Sequence, residues 1–222
     1  MTVRRVIGKR VVDLDDARMA SLTAGYSGVM LDLGTGDGKH AVMWARAHPD
    51  RLVVAVDASL DALRKRSLQM AKDPDKGGQP NLLFVWASAE QIPEAITDVA
   101  EVHVLMPWGS LLRGVLEPDS GLLATLATRC RPDAKFTIVV NRHPWHPEVP
   151  EVAGIVEPTP EDITGERGDG FRQAGWMLDR VHVLRADEIA AFSTSWTSRL
   201  KSSRETLDAI ALEGRIQPAM GR

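Results

Sequence analysis

The stretch Val29–His40 constrains the fold more than any other part of this 222-residue chain. An apolar run, Val29–Leu33, reaches a loop that contains Gly34, Gly36 and Gly38, and a segment compatible with a helix follows it. This order predicts a strand, a tight turn and a helix. Glycine adopts backbone conformations that are closed to other residues and lets a ligand approach the main chain. We therefore expect a nucleotide-like ligand at the end of this strand.

The spacing of the glycines distinguishes between nucleotide ligands. A dinucleotide-binding loop has the pattern Gly-x-Gly-x-x-Gly and places a pyrophosphate at the helix N-terminus. Here Lys39 occupies the position of the last glycine. Asp32 and Asp37 would repel a diphosphate, but they suit a ligand that carries an amino group and a sulfonium. The pattern predicts S-adenosylmethionine (SAM).

A further acidic residue, Asp57, ends the next apolar run of the sequence. It follows Asp32 at close to the roughly 20-residue offset at which a carboxylate binds ribose hydroxyls in this architecture. The alternative is that Asp32 and Asp57 only cap the turns and helices that follow them. Two acids beside three glycines favour the first interpretation, in which both hold the cofactor and neither transfers a proton.

Predicted strands and helices alternate along most of the chain. We predict strands over residues 29–33, 52–57, 81–86, 101–106, 135–141, 176–184 and 207–212, and helices over 15–25, 59–72, most of 109–129, the end of 159–175 and part of 186–204. This order indicates a single α/β domain over residues 1–222 with a Rossmann-like, seven-stranded, mostly parallel sheet and helices on both faces. Residues 1–14 form an N-terminal β-hairpin, the last two strands an antiparallel pair, and 142–160 and 185–205 insertions or loops over the active site.

Composition limits the remaining possibilities. The single cysteine, Cys130, excludes an intramolecular disulfide and a cysteine-based zinc cluster. The basic N-terminus contains no apolar signal region, and no 18-residue apolar run occurs, so we expect a soluble, cytoplasmic protein. The net charge of −3 argues against a nucleic-acid partner. However, the charges are segregated, with basic clusters in 1–10, 59–72 and 196–204 and an acidic one in 148–169.

Two tryptophans are candidates for binding an aromatic base. Trp108 follows the fourth predicted strand, and Trp196 lies among hydroxyl and basic residues. Stacking on a base contributes about 1–3 kcal/mol and could hold a flipped base. The alternatives are core packing for Trp108 and a solvated loop with one core tryptophan for Trp196.

The histidines form no metal-binding pattern, and Cys130 has no evident base partner, so a hydrolase has little support.

Four segments together carry a family resemblance: Asp32–His40, Lys76-Gly77-Gly78 with Asn81, Met106–Leu112, and Thr194-Ser195-Trp196 with Arg199-Leu200. They resemble the aminoglycoside-resistance 16S ribosomal RNA methyltransferases that modify N1 of adenine 1408, the kanamycin and apramycin resistance group. The resemblance implies a class I methyltransferase fold, SAM as donor with S-adenosylhomocysteine as product, and the assembled 30S subunit as substrate. It also implies that Trp108 and Trp196 sandwich the flipped adenine.

The site residues expected from the loop, the strand ends and this resemblance form two groups. The cofactor-binding group is Asp32, Gly34, Gly36, Asp37, Gly38, Asp57, Ala58, Ala89, Glu90, Leu105, Ser110, Thr194 and Ser195. The RNA-binding group is Lys9, Arg10, Arg64, Lys65, Arg66, Lys72, Arg199, Lys201 and Arg204. No metal is expected. Attack by N1 of neutral adenine on the sulfonium methyl needs positioning more than a base.

Two alternatives belong to other classes of function. One is a class I methyltransferase that acts on transfer RNA or a small molecule, although a small-molecule enzyme would not need segregated basic faces and two base-stacking tryptophans. The other is a non-catalytic RNA-binding factor, which would have no use for an intact glycine loop with Asp32 and Asp57. We expect a monomer that does not contact membranes.

Overall fold

The structure, a computed structural model, describes residues 2–118, 121–192 and 208–217. The chain divides into two compact units, Met1–His103 and Val104–Arg222. Within the described ranges, no helix is long and apolar enough to cross a bilayer.

The first unit contains the predicted hairpin and the glycine loop. Its elements are β1 (Val3–Ile7), β2 (Arg10–Leu14), α1 (Asp16–Thr23), β3 (Val29–Leu33), α2 (Lys39–Ala47), β4 (Leu52–Asp57), α3 (Leu60–Met70), β5 (Leu82–Trp86) and β6 (Val99–Leu105), whose last two residues belong to the second unit. The strand order is β2-β1-β5-β4-β3-β6. Strands β5, β4, β3 and β6 are parallel, so the carboxyl ends of β3 and β4 lie at one edge of the sheet.

Burial explains why these segments adopt their structures. All five residues of β3 are buried, as are Leu52–Val56 of β4, which is typical of parallel strands covered on both faces. Helix α2 packs Ala41, Val42 and Ala45 into the same core that takes Leu63 and Met70 of α3. These spacings bury one face of each helix and leave the opposite face of α3, with Asp61, Lys65 and Gln69, exposed.

The hairpin changes the predicted strand count. The described residues contain nine strands, whereas we predicted a seven-stranded sheet with a separate hairpin. Strand β1 pairs antiparallel with β5 through Arg5 and Val85, so the hairpin extends the edge of the sheet instead of standing apart from it. Val3 and Val6 of β1 are both buried, and Val6 packs in the same core cluster as Leu82 and Phe84 of β5.

The second unit contains α4 (Gly109–Leu116), α5 (Leu122–Ala127), β7 (Cys130–Asn141), α6 (Pro160–Thr164), α7 (Glu166–Gln173), β8 (Trp176–Val183), α8 (Ala186–Ala191) and β9 (Ala209–Ile216). Its strand order is β7-β9-β8, and both pairings are antiparallel. The antiparallel pair predicted at the end of the chain is therefore present. The helix predicted over 109–129 is divided into α4 and α5, because Pro118 and Gly121 interrupt it.

Strand β9 differs from its prediction, which ended at Leu212. The observed strand continues through Gly214 to Ile216. A Cβ atom at position 214 would lie 2.0 Å from the carbonyl oxygen of Met177 and 2.8 Å from the Phe136 ring. Glycine is thus required inside this strand by the close approach of its neighbours, and it does not end the strand.

The turn before β5 accounts for part of the family resemblance in structural terms. The side-chain amide of Asn81 donates to the carbonyl oxygens of Ala45, His48 and Arg51 at 3.0, 3.0 and 2.9 Å, and its own oxygen accepts from Gln79. Asn81 is 2% exposed. It therefore ties the end of α2 to the start of β5.

We expect Asn81→Ala to lower the free energy of unfolding by about 2–4 kcal/mol, since buried carbonyls lose their donor. Urea denaturation followed by circular dichroism measures this. Gln69→Ala, on the exposed face of α3, is the control and should change stability by less than about 0.5 kcal/mol. Equal stability of the two variants would contradict the role of Asn81.

Candidate functional site

The glycine loop joins β3 to α2 at the carboxyl edge of the parallel strands. Gly34, Gly36 and Gly38 have φ angles of 72°, 59° and 73°, which are left-handed values that favour glycine. The amides of Gly34 and Thr35 donate to the carbonyl oxygen of Val56 at 2.9 and 3.0 Å. These bonds fix the beginning of the loop against the end of β4.

Asp57 links the ends of β4 and β3. Its Oδ2 atom accepts a hydrogen bond from the Gly36 amide and its Oδ1 atom accepts one from the Ser59 amide, both at 2.7 Å. Burial raises the pKa of the Asp57 carboxyl, and the charge of Asp32 adds to this effect, while the two amide bonds oppose it. A carboxylate that stays in such a place despite this cost is typical of a functional site.

Space for a ligand exists at Gly36. A Cβ atom built there would meet no atom within 4 Å. Asp32 is 2% exposed and accepts a hydrogen bond from the Thr35 hydroxyl, so it adds negative charge beneath the loop. Open main chain between two carboxylates fits a cationic ligand with ribose hydroxyls, as SAM has.

The predicted cofactor residues Gly38 and Asp37 have other contacts. A Cβ atom at position 38 would lie 2.3 Å from the Phe84 ring, so close packing requires this glycine. The Asp37 carboxylate accepts a hydrogen bond from the Arg66 Nη2 atom at 2.8 Å and another from the Lys39 amide. Asp37 thus forms hydrogen bonds within the loop and with Arg66 of α3.

Trp86, at the end of β5, was not among the predicted site residues. Its indole N–H donates to the carbonyl oxygen of Ala58 at 3.0 Å, and the guanidinium of Arg4 lies 4.2 Å from the centre of its ring. Ala58 is itself a predicted cofactor residue beside Asp57. An aromatic residue at the end of a predicted strand was the available signal. The other predicted residues of this region, Ala89 and Glu90, lie in a short 3₁₀ helix.

A buried histidine pair supports the first turn of α2. His40 Nε2 and His103 Nδ1 lie 2.8 Å apart, and His103 Nε2 lies 2.8 Å from a Glu101 carboxylate oxygen. His103 is opposite Asp32 in the β3–β6 pairing. The chain of bonds ties the start of α2 to β6. Sequence reasoning examined the histidines for metal binding and missed this arrangement.

In the second unit, the segment 104–110 leaves β6 and enters α4. Met106 has a φ of 54°, unusual for a residue other than glycine, and its amide donates to the Val139 carbonyl oxygen at 2.8 Å. The buried side chains of Leu105 and Met106 pack in one cluster with Val139. Backbone strain of this kind persists where surrounding contacts enforce it, often at functional sites.

This turn brings Trp108 to the surface. Trp108 is the N-cap residue of α4 and is 40% exposed, whereas Trp176 of the same unit is fully buried. The core-packing alternative for Trp108 is therefore not supported. Ser110, another predicted cofactor residue, is exposed in the first turn of α4.

The predicted RNA-binding residues of the first unit fall into two classes. Lys9, Arg10, Lys65 and Lys72 are exposed. The amide of Gly8 donates to the buried Ser67 hydroxyl at 3.0 Å, which places the hairpin turn against α3. We call these four cations the basic surface of the first unit. By contrast, Arg64 pairs with Asp61, and Arg66 pairs with Asp37.

Several predicted residues lie outside the described part of the chain: Thr194, Ser195, Trp196, Arg199, Lys201 and Arg204. The connection 142–160 is described. Arg142 pairs with Glu157 at 2.6 Å and with Asp208 at 3.3 Å, and the Trp145 indole donates to the Ile155 carbonyl. Within this connection, the basic residue Arg142 therefore forms an ion pair with the acidic residue Glu157.

The only cysteine is unsuited to nucleophilic catalysis. Burial raises the pKa of the Cys130 thiol to about 12, and Sγ donates to the Leu126 carbonyl oxygen. A thiol with this pKa is not ionised at neutral pH.

Known proteins resemble this chain over nearly its whole length. It matches the NpmA family, 16S rRNA (adenine(1408)-N(1))-methyltransferase, over residues 4–215. An enzyme of that name from Streptoalloteichus hindustanus is 50% identical over 97% of this chain and 100% of its own length. The crystal structure of the 16S rRNA methyltransferase KamB, 48% identical, has a TM-score of 0.91 and covers 97% of this chain and 100% of its own.

A further solved structure bears on the cofactor. It is a variant of the 16S rRNA (adenine(1408)-N(1))-methyltransferase from Catenulisporales acidiphilia with the cosubstrate SAM. It is 31% identical, has a TM-score of 0.89 and covers 99% of each chain. The predicted class I methyltransferase fold and the predicted cofactor, SAM, are therefore confirmed. A match from residue 4 to residue 215 and a full-length relative with 50% identity show that this chain belongs to the family of SAM-dependent 16S rRNA (adenine(1408)-N(1))-methyltransferases.

Proposed function

We propose that this protein transfers a methyl group from SAM to N1 of adenine 1408 of 16S rRNA in the assembled 30S subunit, and that this modification confers aminoglycoside resistance. Among the structural observations, the one that carries the proposal is the Asp57 carboxylate, which is bonded to the Gly36 amide beside open main chain. In a chain of this family, that arrangement is a site for the methyl donor.

Cofactor binding depends on residues at the ends of β3 and β4. Bound SAM supplies a methyl group activated by the sulfonium. Asp57 is already oriented by two amide bonds and would accept hydrogen bonds from ribose hydroxyls. Asp32 would attract the positive charges of the ligand from below the loop. Neither residue needs to move a proton.

Acceptor positioning depends on Trp108. The chain continues from His103, which is opposite Asp32, through 104–107 to this exposed indole. N1 of neutral adenine has a lone pair in the plane of the ring, so the enzyme must hold the base and need not deprotonate it. We place the flipped adenine between Trp108 and Trp196, where stacking on both faces offsets the cost of removing it from the RNA.

Docking on the ribosome depends on a local concentration of positive charge. The protein carries a net charge of −3, but the basic surface of the first unit presents four exposed cations. Such a surface can bind phosphates even when the whole protein is acidic. We propose that Arg199, Lys201 and Arg204 also bind the ribosomal RNA, and that the connections 142–160 and 185–205 contribute to acceptor binding. A ribosomal substrate would place the protein in the cytoplasm, where we propose that it acts as a monomer.

Methyl incorporation tests this proposal. Purified protein with methyl-labelled SAM should label 30S subunits, and it should label 50S subunits, transfer RNA and naked 16S rRNA far more slowly. Binding to 30S should weaken by roughly 10-fold or more between ~50 and ~200 mM salt, because phosphate contacts release counterions.

Two charge reversals test whether 30S binding depends on the basic surface of the first unit or on the net charge of the whole protein. Lys9→Glu should weaken 30S binding, whereas Lys135→Glu, the same change at an exposed position of β7, should have a much smaller effect. Equal labelling of transfer RNA would favour the alternative substrate class. Binding of 30S without labelling would favour a non-catalytic factor.

A further inference from the structure

We propose that Arg66 is a positioning residue for the glycine loop and not a ligand of RNA phosphates, as its place in the basic sequence of α3 had suggested. The inference rests on the proposed function only in that it concerns the same cofactor site. Two hydrogen bonds define the contact. Arg66 Nε donates to the main-chain carbonyl oxygen of Asp37 at 2.7 Å, and Nη2 donates to the Asp37 carboxylate at 2.8 Å.

The position of Asp37 gives these bonds their effect. It lies between Gly36 and Gly38, and both of these have positive φ angles. Glycine has more accessible backbone conformations than other residues, so this part of the loop loses more entropy when it becomes ordered. A guanidinium that holds the Asp37 carbonyl restrains the main chain itself.

The restraint extends to Asp57. The Gly36 amide, directly before Asp37, donates to the Asp57 carboxylate. If the loop can rotate about its glycines, that amide loses its direction and Asp57 loses one of the bonds that orient it. Arg66 therefore acts on the cofactor site through the loop.

Arg66 is also less available to RNA than its neighbours. Its side chain is 27% exposed, and two of its guanidinium nitrogens, Nε and Nη2, donate to Asp37. Lys65, the preceding residue, is exposed. Ser67, the following residue, holds the hairpin turn at Gly8. Consecutive residues of α3 thus present a cation, fix the cofactor loop and fix the hairpin.

A pair of variants separates positioning from RNA contact. Arg66→Met replaces the aliphatic part of the side chain with a similar apolar chain and removes both bonds, while Lys65→Met removes a cation beside it. We expect Arg66→Met to weaken S-adenosylhomocysteine binding in the isolated protein by roughly fivefold, because fewer molecules hold the competent loop conformation. Lys65→Met should leave this affinity unchanged. For 30S binding, Lys65→Met should have the larger effect.

Isothermal titration calorimetry with S-adenosylhomocysteine gives the first quantity, and filter binding of 30S gives the second. The KM for SAM of Arg66→Met should rise while its KM for 30S changes little. Arg66→Lys should not restore affinity, since a lysine cannot hold the carbonyl and the carboxylate with one planar group. Asp37→Asn combined with Arg66→Met should be non-additive, because the two side chains act as a pair.

Two results would overturn the inference: Arg66→Met binding S-adenosylhomocysteine as tightly as the parent protein, or Arg66→Lys doing so. Melting temperatures of all variants should lie close together, since a partly exposed ion pair adds little to global stability. The calorimetric measurement needs no ribosome. A failure of 30S methylation would therefore count against the proposed function and leave the role of Arg66 decided separately.

Discussion

Replacing Trp108 with alanine should slow methyl transfer to 30S subunits by roughly 10- to 100-fold, the equivalent of one lost stacking contact on the base. The fold should remain intact. Trp108 is 40% exposed and begins α4 without a side-chain cap, so its truncation resembles a surface substitution. Such changes alter stability by about 0.5 kcal/mol, which corresponds to a melting-temperature change of about 1–2 °C in a chain of this size.

Trp176 provides the matched control. It is fully buried, and its indole N–H donates to the Leu123 carbonyl oxygen at 2.9 Å. Trp176→Ala should cost about 3–5 kcal/mol and lower the melting temperature by roughly 10 °C. Single-turnover methylation and thermal melts on both variants distinguish the two roles. Trp108→Phe should retain part of the activity, because it keeps an aromatic face of smaller area. If the two alanine variants lost equal amounts of melting temperature, Trp108 would be a core-packing residue and not a base-stacking one.

Asp57→Asn should weaken SAM binding by roughly 10- to 100-fold, because charge-assisted hydrogen bonds worth about 1.5–3 kcal/mol are lost. The stability of the fold should change little, because loss of a half-buried charge is favourable, whereas the asparagine NH2 group replaces one of the two oxygens that accept from the Gly36 and Ser59 amides. Burial raises the pKa of the Asp57 carboxyl, so the ionised form is destabilised in the folded protein. Calorimetry and thermal melts at neutral pH measure the two quantities. Asp13→Asn, on the exposed side of β2, is the control and should change neither. Unchanged SAM affinity in Asp57→Asn would contradict the assignment to ribose.

The raised pKa also gives a pH dependence with a defined sign. The folded protein binds the Asp57 proton more tightly than the unfolded chain does. The stability this proton contributes is therefore present below the unfolded pKa, near 3.8, and is lost as the pH rises through the folded value. SAM affinity runs in the opposite direction and should fall as the pH is lowered through the folded value. In Asp57→Asn this acid-side loss should disappear.

The sequence predicted most accurately what depends on local patterns. Strands β3 and β4 have the predicted bounds, because each is a short, mostly apolar run with an acidic residue at or next to its end. The order of strand, loop and helix then placed Asp32 and Asp57 at one edge. The exposure of Trp108 was not predictable, because a tryptophan at this position of the sequence is compatible with core packing and with base stacking.

Contacts between segments that are distant in the chain could not be predicted from the sequence. Strand β1 pairs with β5 and packs Val6 in the core cluster that contains Phe84, whereas the alternation of residues within the hairpin does not identify its partner strand. The Arg66–Asp37 pair joins positions that no periodicity connects. The predicted strand ended at Leu212, whereas the close packing of Gly214 against Phe136, which keeps this glycine inside β9, is visible only in three dimensions.

The location of the methyl group tests the account most directly. A methyl group on N1 of adenine blocks its Watson–Crick edge, so reverse transcriptase stops when it reaches that base. We expect 30S subunits incubated with the protein and SAM to give one new stop at adenine 1408, and Trp108→Ala to give that stop much more slowly. A stop at another nucleotide, or labelled RNA with no stop at all, would contradict the assignment of the acceptor atom.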